Sequence, residues 1–558
     1  MGRPSKVQPA RTGSSRRDFF KRSGAGAAAL VAAPALLPLA AEAASTVFQH
    51  GVASGDPLAD RVILWTRVTP ATARPAVSVT YVVATDPALT QVVQRGSAKT
   101  NPGRDYTVKV DATGLQPATT YYYQFTAEGA TSPVGRTKTL PTTGASSLRM
   151  AVVSCSNLAA GYFNAYARIA ARADLDLVMH LGDYLYEYGT GQYGSVRTPE
   201  PANEIVTLTD YRQRHAQYKR DADAQAMHRQ HPLIAIWDDH ETANNSWKGG
   251  AENHQPATEG DWNARVVAAL QAYYEWMPVR PVDVANLRDN HRSFAYGDLA
   301  ELLMLEERIN ARSEQLTTAV HATAFGAGFA TTDPGYGDPS RTLLGDAEEA
   351  WLVKRLRTTP AQWKLLGQGV MFAQLKAPGS NQATDPGLYF INSDQWDGYE
   401  PARNRLFTAI KGDAANAQVN NLVVLTGDIH SSWAADLNPN PYSPASYDKT
   451  TGAGSLGVEF VGTSVTSPGI DTDTTGAIAG AIKFYNPHFK YVQLTRRGYM
   501  LVDVNRDRVV GEWWYVDTVA SPSNVEVFAA AFEVRQGENH LRPSAQTPSR
   551  ANPPLPAP

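Results

Sequence analysis

Apolar and polar positions alternate along much of residues 45–145, in short runs that end at Gly, Pro, Asp and Asn. Clear examples are residues 77–83 and 106–110, in which every second side chain is apolar. A period of two residues with one apolar face is typical of antiparallel strands, and frequent turn residues keep such strands short. The pattern predicts a small all-β sandwich domain over residues 45–145.

One segment of this domain carries a further signal. Residues 115–125 alternate with apolar and aromatic side chains, including Tyr121 and Tyr123. This spacing is similar to the tyrosine corner of fibronectin type III-like sandwiches. The resemblance implies a structural accessory domain.

After residue 145 apolar runs alternate with stretches of helical character. The helical stretches are residues 162–173, 208–229 and 261–276, and the strongest strand candidates are residues 150–154, 175–181, 233–237 and 422–426. Such alternation predicts a layered α/β domain over residues 146–520. Segments 312–345 and 376–402 are rich in Gly, Asp, Asn and aromatic residues, and we expect them to be loops that wall a pocket.

Residues 1–44 have the pattern of a targeting sequence. Arg16 and Arg17 precede a moderately apolar run that closes at the small-residue site 41–43. This arrangement is typical of a twin-arginine signal peptide. A membrane helix is the alternative, but the run is short for a span of about 20 residues and contains one glycine and two prolines. We therefore expect export by the twin-arginine machinery to the periplasm or the medium, a route that suits a protein which acquires its metal before export.

The remaining segments complete the expected organisation. Residues 521–558 are predicted to hold one helix, 525–534, followed by a disordered Pro-rich end after Gln546. No second segment reaches the length of a membrane span, so we expect the mature chain to be soluble, without a transmembrane segment, and to act as a monomer.

Composition and charge exclude several classes of function. The 558 residues carry 51 Lys+Arg and 54 Asp+Glu, and the formal net charge becomes −8 without residues 1–44. A mildly acidic chain has no bulk electrostatic reason to bind nucleic acid, so any phosphate chemistry must be local. A single cysteine excludes an intrachain disulfide framework.

Metal-capable residues follow each of the four apolar strand candidates directly. They are Cys155; Asp183, Tyr184 and Tyr186; Asp238, Asp239, His240 and Glu241; and Asp428 with His430. The carboxyl ends of strands in open α/β sheets share one crevice, so these residues can converge. Sulfur, phenol and imidazole donors suit a trivalent ion and carboxylates suit an oxygen-seeking ion, and Asp183 has two oxygens with which to bridge both. Two metals in such a site favour phosphoester hydrolysis by in-line attack of a metal-bound hydroxide.

These motifs, in this order, resemble the alkaline phosphatase D (PhoD-like) family of metallophosphoesterases, whose members include phosphodiesterases and phospholipase D-type enzymes. The matching stretches are residues 48–57, 64–67, 154–155, 180–188, 237–241 and 425–430. The resemblance covers nearly the whole chain. It implies an α/β fold with a metallophosphatase-type layered β-sandwich core flanked by helices, behind the small all-β domain.

The resemblance also implies a ligand set. It assigns six residues to two metals: Cys155, Tyr186 and His430 to iron(III), Asp183 to the bridge, and Asp239 and Asp428 to the second ion. Carboxylates stand where the broader metallophosphatase pattern has asparagine and histidine, which favours calcium over zinc as the second ion.

The resemblance gives His240 a catalytic role beside Asp183. It implies that His240 contacts the phosphoryl oxygen or the leaving group, so it is expected to stabilise the transition state or donate a proton. For Asp238 the sequence leaves support of a ligand and a surface position equally open.

Some residues stay outside the predicted site. Family members often have Asp-Thr-Arg-x-Tyr-Arg where this chain has residues 306–310, and the altered neighbours keep Arg308 out of the predicted set. Asn244 and Asn245 can bind metal or phosphate, or cap a helix. Four histidines lack a comparable setting and are predicted to lie on the surface: His215, His228, His231 and His254. His488 is expected to line the pocket only on the resemblance.

The substrate is expected to be a small-molecule or lipid phosphate ester, monoester or diester. A phospholipase D-type activity is one alternative, for which five loop aromatics could form an apolar landing surface: Phe325, Phe329, Tyr336, Tyr389 and Phe390. A second alternative is a non-catalytic extracellular binding protein that uses its sandwich. A third is a hydrolase with Cys155 as the nucleophile.

Overall fold

The computed structural model describes residues 46–317 and 320–558. The predicted signal peptide, residues 1–44, lies outside the described residues. In the described part the strands are β1 Val52–Gly55, β2 Arg61–Arg67, β3 Val77–Ala84, β4 Val92–Thr100, β5 Thr107–Thr113, β6 Thr120–Ala127, β7 Ala130–Thr131, β8 Gly135–Lys138, β9 Ser147–Val153, β10 Leu177–Leu181, β11 Pro232–Ile236, β12 Ser246–Trp247, β13 Gly250–Ala251, β14 Arg292–Tyr296, β15 Ala300–Met304, β16 His321–Thr323, β17 Gly326–Gly328, β18 Trp363–Gln368, β19 Lys376–Pro378, β20 Leu388–Phe390, β21 Leu422–Thr426, β22 Ser432–Leu437, β23 Gly457–Val461, β24 Phe489–Gln493, β25 Gly498–Asn505, β26 Arg508–Val516, β27 Glu526–Arg535 and β28 Leu541–Pro543.

The helices of the described part are fewer than the strands. They are α1 Asn164–Ala170, α2 Leu208–Arg220, α3 Ala222–Gln230, α4 Pro256–Glu259, α5 Trp262–Trp276, α6 Gly345–Thr358, α7 Glu400–Lys411 and α8 Ala477–Tyr485. No helix in these residues combines the length and apolar composition that a membrane crossing requires.

Two large sheets form the centre of the molecule. One has ten strands in the order β28-β27-β26-β25-β9-β10-β11-β1-β2-β5, and the other has seven in the order β14-β15-β18-β21-β23-β22-β24. Within them β9, β10 and β11 are parallel, as are β15, β18, β21 and β23. These parallel strands are almost continuously apolar, as expected for strands covered on both faces.

The facing sides of the sheets enclose one core, and helices cover the outer sides. Met150, Val152 and Met179 point towards Leu365 and Leu425 of the other sheet. The intervening residues of β9 and β10 pack instead under α1, α2, α3 and α5, while α6, α7 and α8 cover the outer side of the seven-stranded sheet. The predicted layered β-sandwich core flanked by helices is confirmed.

The N-terminal domain is a sandwich with its own core, but one of its sheets is shared. Strands β3, β4, β6, β7 and β8 form one layer, and β1, β2 and β5 form the other, with a buried cluster between them. Strand β1 also pairs with β11, so this second layer continues into the ten-stranded sheet. The hydroxyl of Tyr121 accepts a hydrogen bond from the backbone N–H of Gln116, as in a tyrosine corner.

The prediction of a helix at 525–534 is wrong, because this segment is strand β27. Its residues pair with β26 along its length. The run contains three alanines, which suit a helix, but its valines and phenylalanines suit a pleated surface, and pairing with a buried neighbour decides between them.

The prediction of a disordered end after Gln546 is also wrong. Thr547 donates from its backbone N–H to Glu512, Arg550 binds Asp176, and Ala557 lies buried. Polar anchors, which a composition rule cannot detect, fix this segment on the sheet.

Candidate metal centre

The carboxyl ends of the parallel strands of both sheets meet at one place. Cys155 follows β9, Asp183 follows β10, Asp239 follows β11 and Asp428 follows β21. Parallel strands expose their carboxyl ends at one edge, and the two sheets present that edge together here. The chain therefore delivers side chains from distant segments to one buried site.

Four predicted site residues near these strand ends have left-handed backbone conformations. The φ angles are +60° at Cys155, +54° at Asp183, +60° at Asp428 and +57° at His430. Residues with a Cβ adopt this region rarely, because the side chain crowds the carbonyl oxygen. Such conformations cluster where function needs a particular side-chain direction, and here each lies directly at or just beyond a strand end.

One group of donors combines sulfur, oxygen and nitrogen. Ligand atoms of Cys155, Asp183 and His430 all lie within 4.8 Å of one another, and all three residues are buried. The Tyr186 hydroxyl joins them, 2.9 Å from Asp183 Oδ2 and 3.1 Å from His430 Nε2. Ser467 donates to the Tyr186 hydroxyl and so fixes its direction.

The orientation of His430 is set by its other nitrogen. His430 Nδ1 lies 3.1 Å from the carbonyl oxygen of Pro468, which can only accept a hydrogen bond. The proton therefore belongs on Nδ1, and the lone pair on Nε2 faces Asp183 and Tyr186. A backbone acceptor behind an imidazole is a common way of orienting a metal-binding histidine.

The second group of donors consists of carboxylates. Oxygens of Asp238, Asp239 and Asp428 lie within 4.8 Å of one another, and Asp183, Asp239 and His240 form an overlapping group. Asp183 thus belongs to two groups, as a bridging ligand would. Asp238 is buried, which favours the supporting role over the surface position.

Arg308, which the sequence left outside the site, lies among these carboxylates. Its Nε binds Asp238, its Nη1 lies 3.0 Å from Asp394, and its Nη2 lies 2.9 Å from Asp428 and 3.8 Å from Asp239. The altered neighbours Glu306 and Glu307 are themselves buried and accept backbone N–H groups, those of Ile309 and Gly369 among them. They build the loop that holds Arg308.

The donor set fits metal cations. Five buried aspartates meet here, Asp183, Asp238, Asp239, Asp394 and Asp428. Two buried arginines lie among them: Arg308 contacts four, and Arg312 contacts Asp394. Buried charges of one sign require compensation, so the site has room for further positive charge. Burial and the charge of Asp183 raise the pKa of both Cys155 and Tyr186, and a coordinated cation is what ionises such groups.

Glu241 holds the strand ends together. Its carboxylate accepts the backbone N–H groups of Asp183 at 3.1 Å, Tyr184 at 2.6 Å and Asp238 at 2.9 Å. The ends of β10 and β11 are thereby fixed relative to each other. The sequence placed Glu241 beside the motif without a role.

The structure brings together all seven predicted site residues: Cys155, Asp183, Tyr186, Asp239, His240, Asp428 and His430. It adds Arg308, Asp394 and Ser467, together with Glu187, which binds His240 Nδ1, and Tyr193, whose hydroxyl lies 3.1 Å from His430 Nδ1. Arg308 could have been predicted from the sequence, because it lies among polar residues that directly follow the buried strand β15. Tyr193, Asp394 and Ser467 lie in irregular segments that have no local sequence pattern.

Other expectations about single residues are corrected. His215, His228, His231 and His254 are buried rather than on the surface, because the helices that carry them, or lie beside them, cover the ten-stranded sheet. His488 donates to the carbonyl oxygen of Gln374 instead of lining the site. Asn244 and Asn245 cap no helix: their backbone N–H groups bind Glu187 and Asp239.

Comparisons with known proteins find similar sequences and structures over most of the chain. A family model described as PhoD-like phosphatase matches residues 150–513, and one described as the N-terminal domain of PhoD-like phosphatase matches residues 31–141. Alkaline phosphatase D of Bacillus subtilis (strain 168) is 38% identical over 514 residues, which are 90% of this chain and 83% of that protein. A solved structure described as PhoD has a TM-score of 0.78 and 36% identity, and the match covers 91% of this chain and 94% of that chain. The likeness spans the sandwich and the layered domain alike.

Proposed function

The chain belongs to the PhoD-like phosphatase family and is a phosphoric ester hydrolase, and from this premise we propose that it is an exported enzyme that uses iron(III) and calcium to hydrolyse small-molecule phosphate monoesters and diesters. The observation that carries the proposal is that Asp183 belongs both to the group of Cys155 and His430 and to the group of Asp239 and His240. Asp239 belongs in turn to the carboxylate group with Asp238 and Asp428. Two unlike donor sets joined by one carboxylate favour two unlike metals.

The residues divide into two sets of ligands. Cys155, Tyr186 and His430 would hold iron with one oxygen of Asp183, because thiolate, phenolate and imidazole suit that ion. Asp239 and Asp428 would hold calcium with the other oxygen, because calcium prefers carboxylates. When bound, such a pair supplies Lewis acidity, which activates water and neutralises charge on the phosphoryl oxygens.

The rest of the site orients these groups. Arg308 keeps Asp428 and Asp238 in place through charge-assisted hydrogen bonds. Glu241 fixes the backbone of Asp183, and the backbone N–H of Asn245, 2.6 Å from Asp239 Oδ2, fixes that carboxylate. Preorganisation of this kind lowers the cost of assembling the charged transition state.

Three observations weigh against the alternatives. Of the five loop aromatics, Phe329, Tyr336 and Phe390 pack against one another in a small buried cluster, and Phe325 and Tyr389 are half-buried, so they form no exposed apolar surface for a phospholipid. Burial and the charge of Asp183 raise the pKa of Cys155, whereas a nucleophilic cysteine needs a lowered pKa. The buried groups of potential metal ligands argue against a non-catalytic binding protein, because binding through the N-terminal sandwich alone would not require them.

Elemental analysis tests the metals. The mature protein, exported by its own signal, should contain near-stoichiometric iron with calcium and show a visible phenolate-to-iron absorption band. Tyr186→Phe should remove the band, and Tyr188→Phe, two residues along the chain, should keep it. Protein that is active without bound metal would overturn the proposal.

Activity and export are tested separately. Chelation should abolish release of phosphate from monoesters and of alcohol from diesters, and metal should restore both. Joint replacement of Arg16→Lys and Arg17→Lys should retain the protein in the cytoplasm if the twin-arginine route is used. Size-exclusion chromatography with light scattering should give a monomer.

A further inference from the structure

Glu187 and His240 form a buried pair at the edge of the metal centre. His240 Nδ1 lies 2.6 Å from Glu187 Oε2, and both side chains are buried. An ionised carboxylate can only accept a hydrogen bond, so the ring nitrogen Nδ1 carries the hydrogen of this bond. This hydrogen bond leaves Nε2 as the ring nitrogen of His240 that can interact with other groups in the site.

Glu187 is itself held rigidly. Its Oε1 accepts the backbone N–H of Asn244 at 2.8 Å and the side-chain amide of Asn253 at 2.8 Å. One oxygen is thus committed to the surrounding loop and the other to His240. A carboxylate so constrained holds its partner in one position.

Aromatic rings fix the plane of His240. The Tyr186 ring lies 4.1 Å from it between centroids, and the Tyr188 ring lies 5.5 Å from it. Within the described residues, Nε2 of His240 makes no hydrogen bond to protein, although the carboxylate oxygens of Asp183 and Asp239 lie within 4.8 Å of a nitrogen of the ring. Nε2 is therefore available to a group that binds beside the metals.

We propose that Glu187 is a positioning residue that holds His240 with Nε2–H directed at the departing oxygen of a phosphate ester. This inference rests on the proposed function. As the bond from phosphorus to the departing oxygen breaks, Nε2–H gives its proton to that oxygen. The attacking water forms the new bond to phosphorus and loses a proton, and His240 regains one from solvent, so the products are an alcohol and a phosphate.

The charge of Glu187 supports this role, because a carboxylate accepts a stronger hydrogen bond than a neutral group does. Glutamine at position 187 would keep the shape of the pair and lose the charge that strengthens the hydrogen bond to His240 Nδ1.

A leaving-group series distinguishes positioning from a structural role. Proton donation matters for esters with poor leaving groups, such as alkyl and phenyl esters, and little for 2,4-dinitrophenyl esters. Glu187→Gln should lower kcat about 10- to 100-fold on poor leaving groups, the range typical of lost orienting partners. The dinitrophenyl ester should be nearly unaffected, so the dependence of rate on leaving-group pKa should steepen.

A matched control and a double variant complete the test. Glu204 also accepts a hydrogen bond from Asn253, at 3.2 Å, and has no contact with His240, so Glu204→Gln should leave the leaving-group dependence unchanged. In the His240→Asn background Glu187→Gln should have no further effect, because the two residues act as a unit.

The outcomes that overturn the inference differ from those that overturn the proposed function. A wild-type protein that hydrolyses no phosphate ester when loaded with metal contradicts the proposed function. An active wild type with equal loss in Glu187→Gln across the series contradicts positioning. Loss of bound metal from His240→Asn identifies that residue as a ligand instead, and this also overturns the inference.

Discussion

Arg308 shows what one residue does for a site crowded with acids. Its guanidinium contacts Asp238, Asp394 and Asp428 at once and is fully buried. Because it is always protonated, it supplies a positive charge whether or not a metal is bound. Burial of several carboxylates before metal binding is possible because this charge is present.

Replacement of Arg308 should therefore make stability depend on metal. Arg308→Gln leaves buried carboxylates uncompensated, which costs about 3–5 kcal/mol when a buried ion pair loses one partner. Bound cations replace part of the lost charge, so the fall in Tm should be larger in chelator than with metal. Thermal unfolding in both conditions measures this.

Arg265→Gln is the control for this prediction. Arg265 is buried and binds Glu204 and Glu259, away from the predicted ligands. Its replacement should lower Tm equally with and without metal. Equal losses in Arg308→Gln under both conditions would contradict the role assigned to Arg308.

The buried histidines predict a loss of stability in mild acid. Burial lowers the pKa of His231 to about 3, with Arg136 acting in the same direction, and burial also lowers the pKa values of His215 and His228. A histidine of the unfolded chain titrates near pH 6.5. The lowered pKa of the folded histidine therefore leaves the fold at full stability above pH 6.5, and stability is lost as the pH falls from 6.5 towards the folded pKa. The loss is about 1.4 kcal/mol per pH unit for each histidine.

Tm measured from pH 7.5 to 5.5 tests this expectation. Tm should fall steadily below pH 6.5. In His231→Gln the side-chain amide can still donate to the carbonyl oxygen of Ile169, as Nε2 does in the wild type. The variant has one titrating group fewer, so its Tm should fall less steeply as the pH is lowered. A wild-type Tm that is constant over this range would show that these histidines do not stay neutral in the fold.

At the scale of elements, the local sequence pattern predicted the strands that are buried on both faces. It failed for segments whose secondary structure depends on pairing with a neighbouring strand. The strand predicted at 422–426 has those bounds in the structure, since an apolar run in a parallel sheet needs no alternation. The helix predicted at 208–229 is two helices, because Asp221 ends α2 and caps α3 through the N–H groups of Asp223 and Ala224. The half-exposed β27 has too weak a pattern to be found without its neighbour.

The turn after β10 depends on a glycine. Gly182 has a φ of +93°, and a Cβ there would lie 2.5 Å from the backbone nitrogen of Asp238. The residue thus lets the ends of β10 and β11 approach closely and sets the direction of Asp183. Gly182→Ala should add strain of roughly 1–3 kcal/mol and displace that carboxylate.

The expected result is a joint fall of Tm and metal content in Gly182→Ala. Gly480 is a suitable control, because it lies on the exposed side of α8 and a Cβ there meets no atom within 4 Å. Gly480→Ala should retain metal and, as a change within a helix, should not lower Tm. Full metal content in Gly182→Ala would contradict the dependence of the site on this turn.

At the scale of the whole molecule, the predicted boundary at 145 separates two cores but not two sheets. The parallel pairing of β1 with β11 joins residues about 180 positions apart, and no local pattern indicates such a contact. The C-terminal strap, residues 544–558, crosses the same junction. Arg149 binds its Pro548 carbonyl and Tyr122 of the sandwich binds its Leu555 carbonyl.

The strap contributes stability through Asp176, which lies just before β10. Burial raises the pKa of Asp176, but the charges of Lys138 and Arg550 outweigh burial and hold it below 3.8. A carboxylate with a lowered pKa stabilises the fold above its unfolded pKa, and this stability is lost as the pH falls through the folded pKa. Arg550, 2.7 Å from Asp176 Oδ2, supplies part of that effect.

Deletion of residues 547–558 should therefore lower Tm most above pH 5, and the difference from wild type should narrow only as the pH falls below 3.8 and through the lowered folded pKa of Asp176. Deletion of residues 551–558 keeps Arg550, so it should lower Tm by an amount that changes little over this range. Because the strap contacts the amino ends of β9 and β10 and the ligands lie at their carboxyl ends, metal content and kcat of the folded protein should be unchanged in both. A loss of metal on deletion would mean that strain passes along these strands, and the sheet would then couple the sandwich to the site.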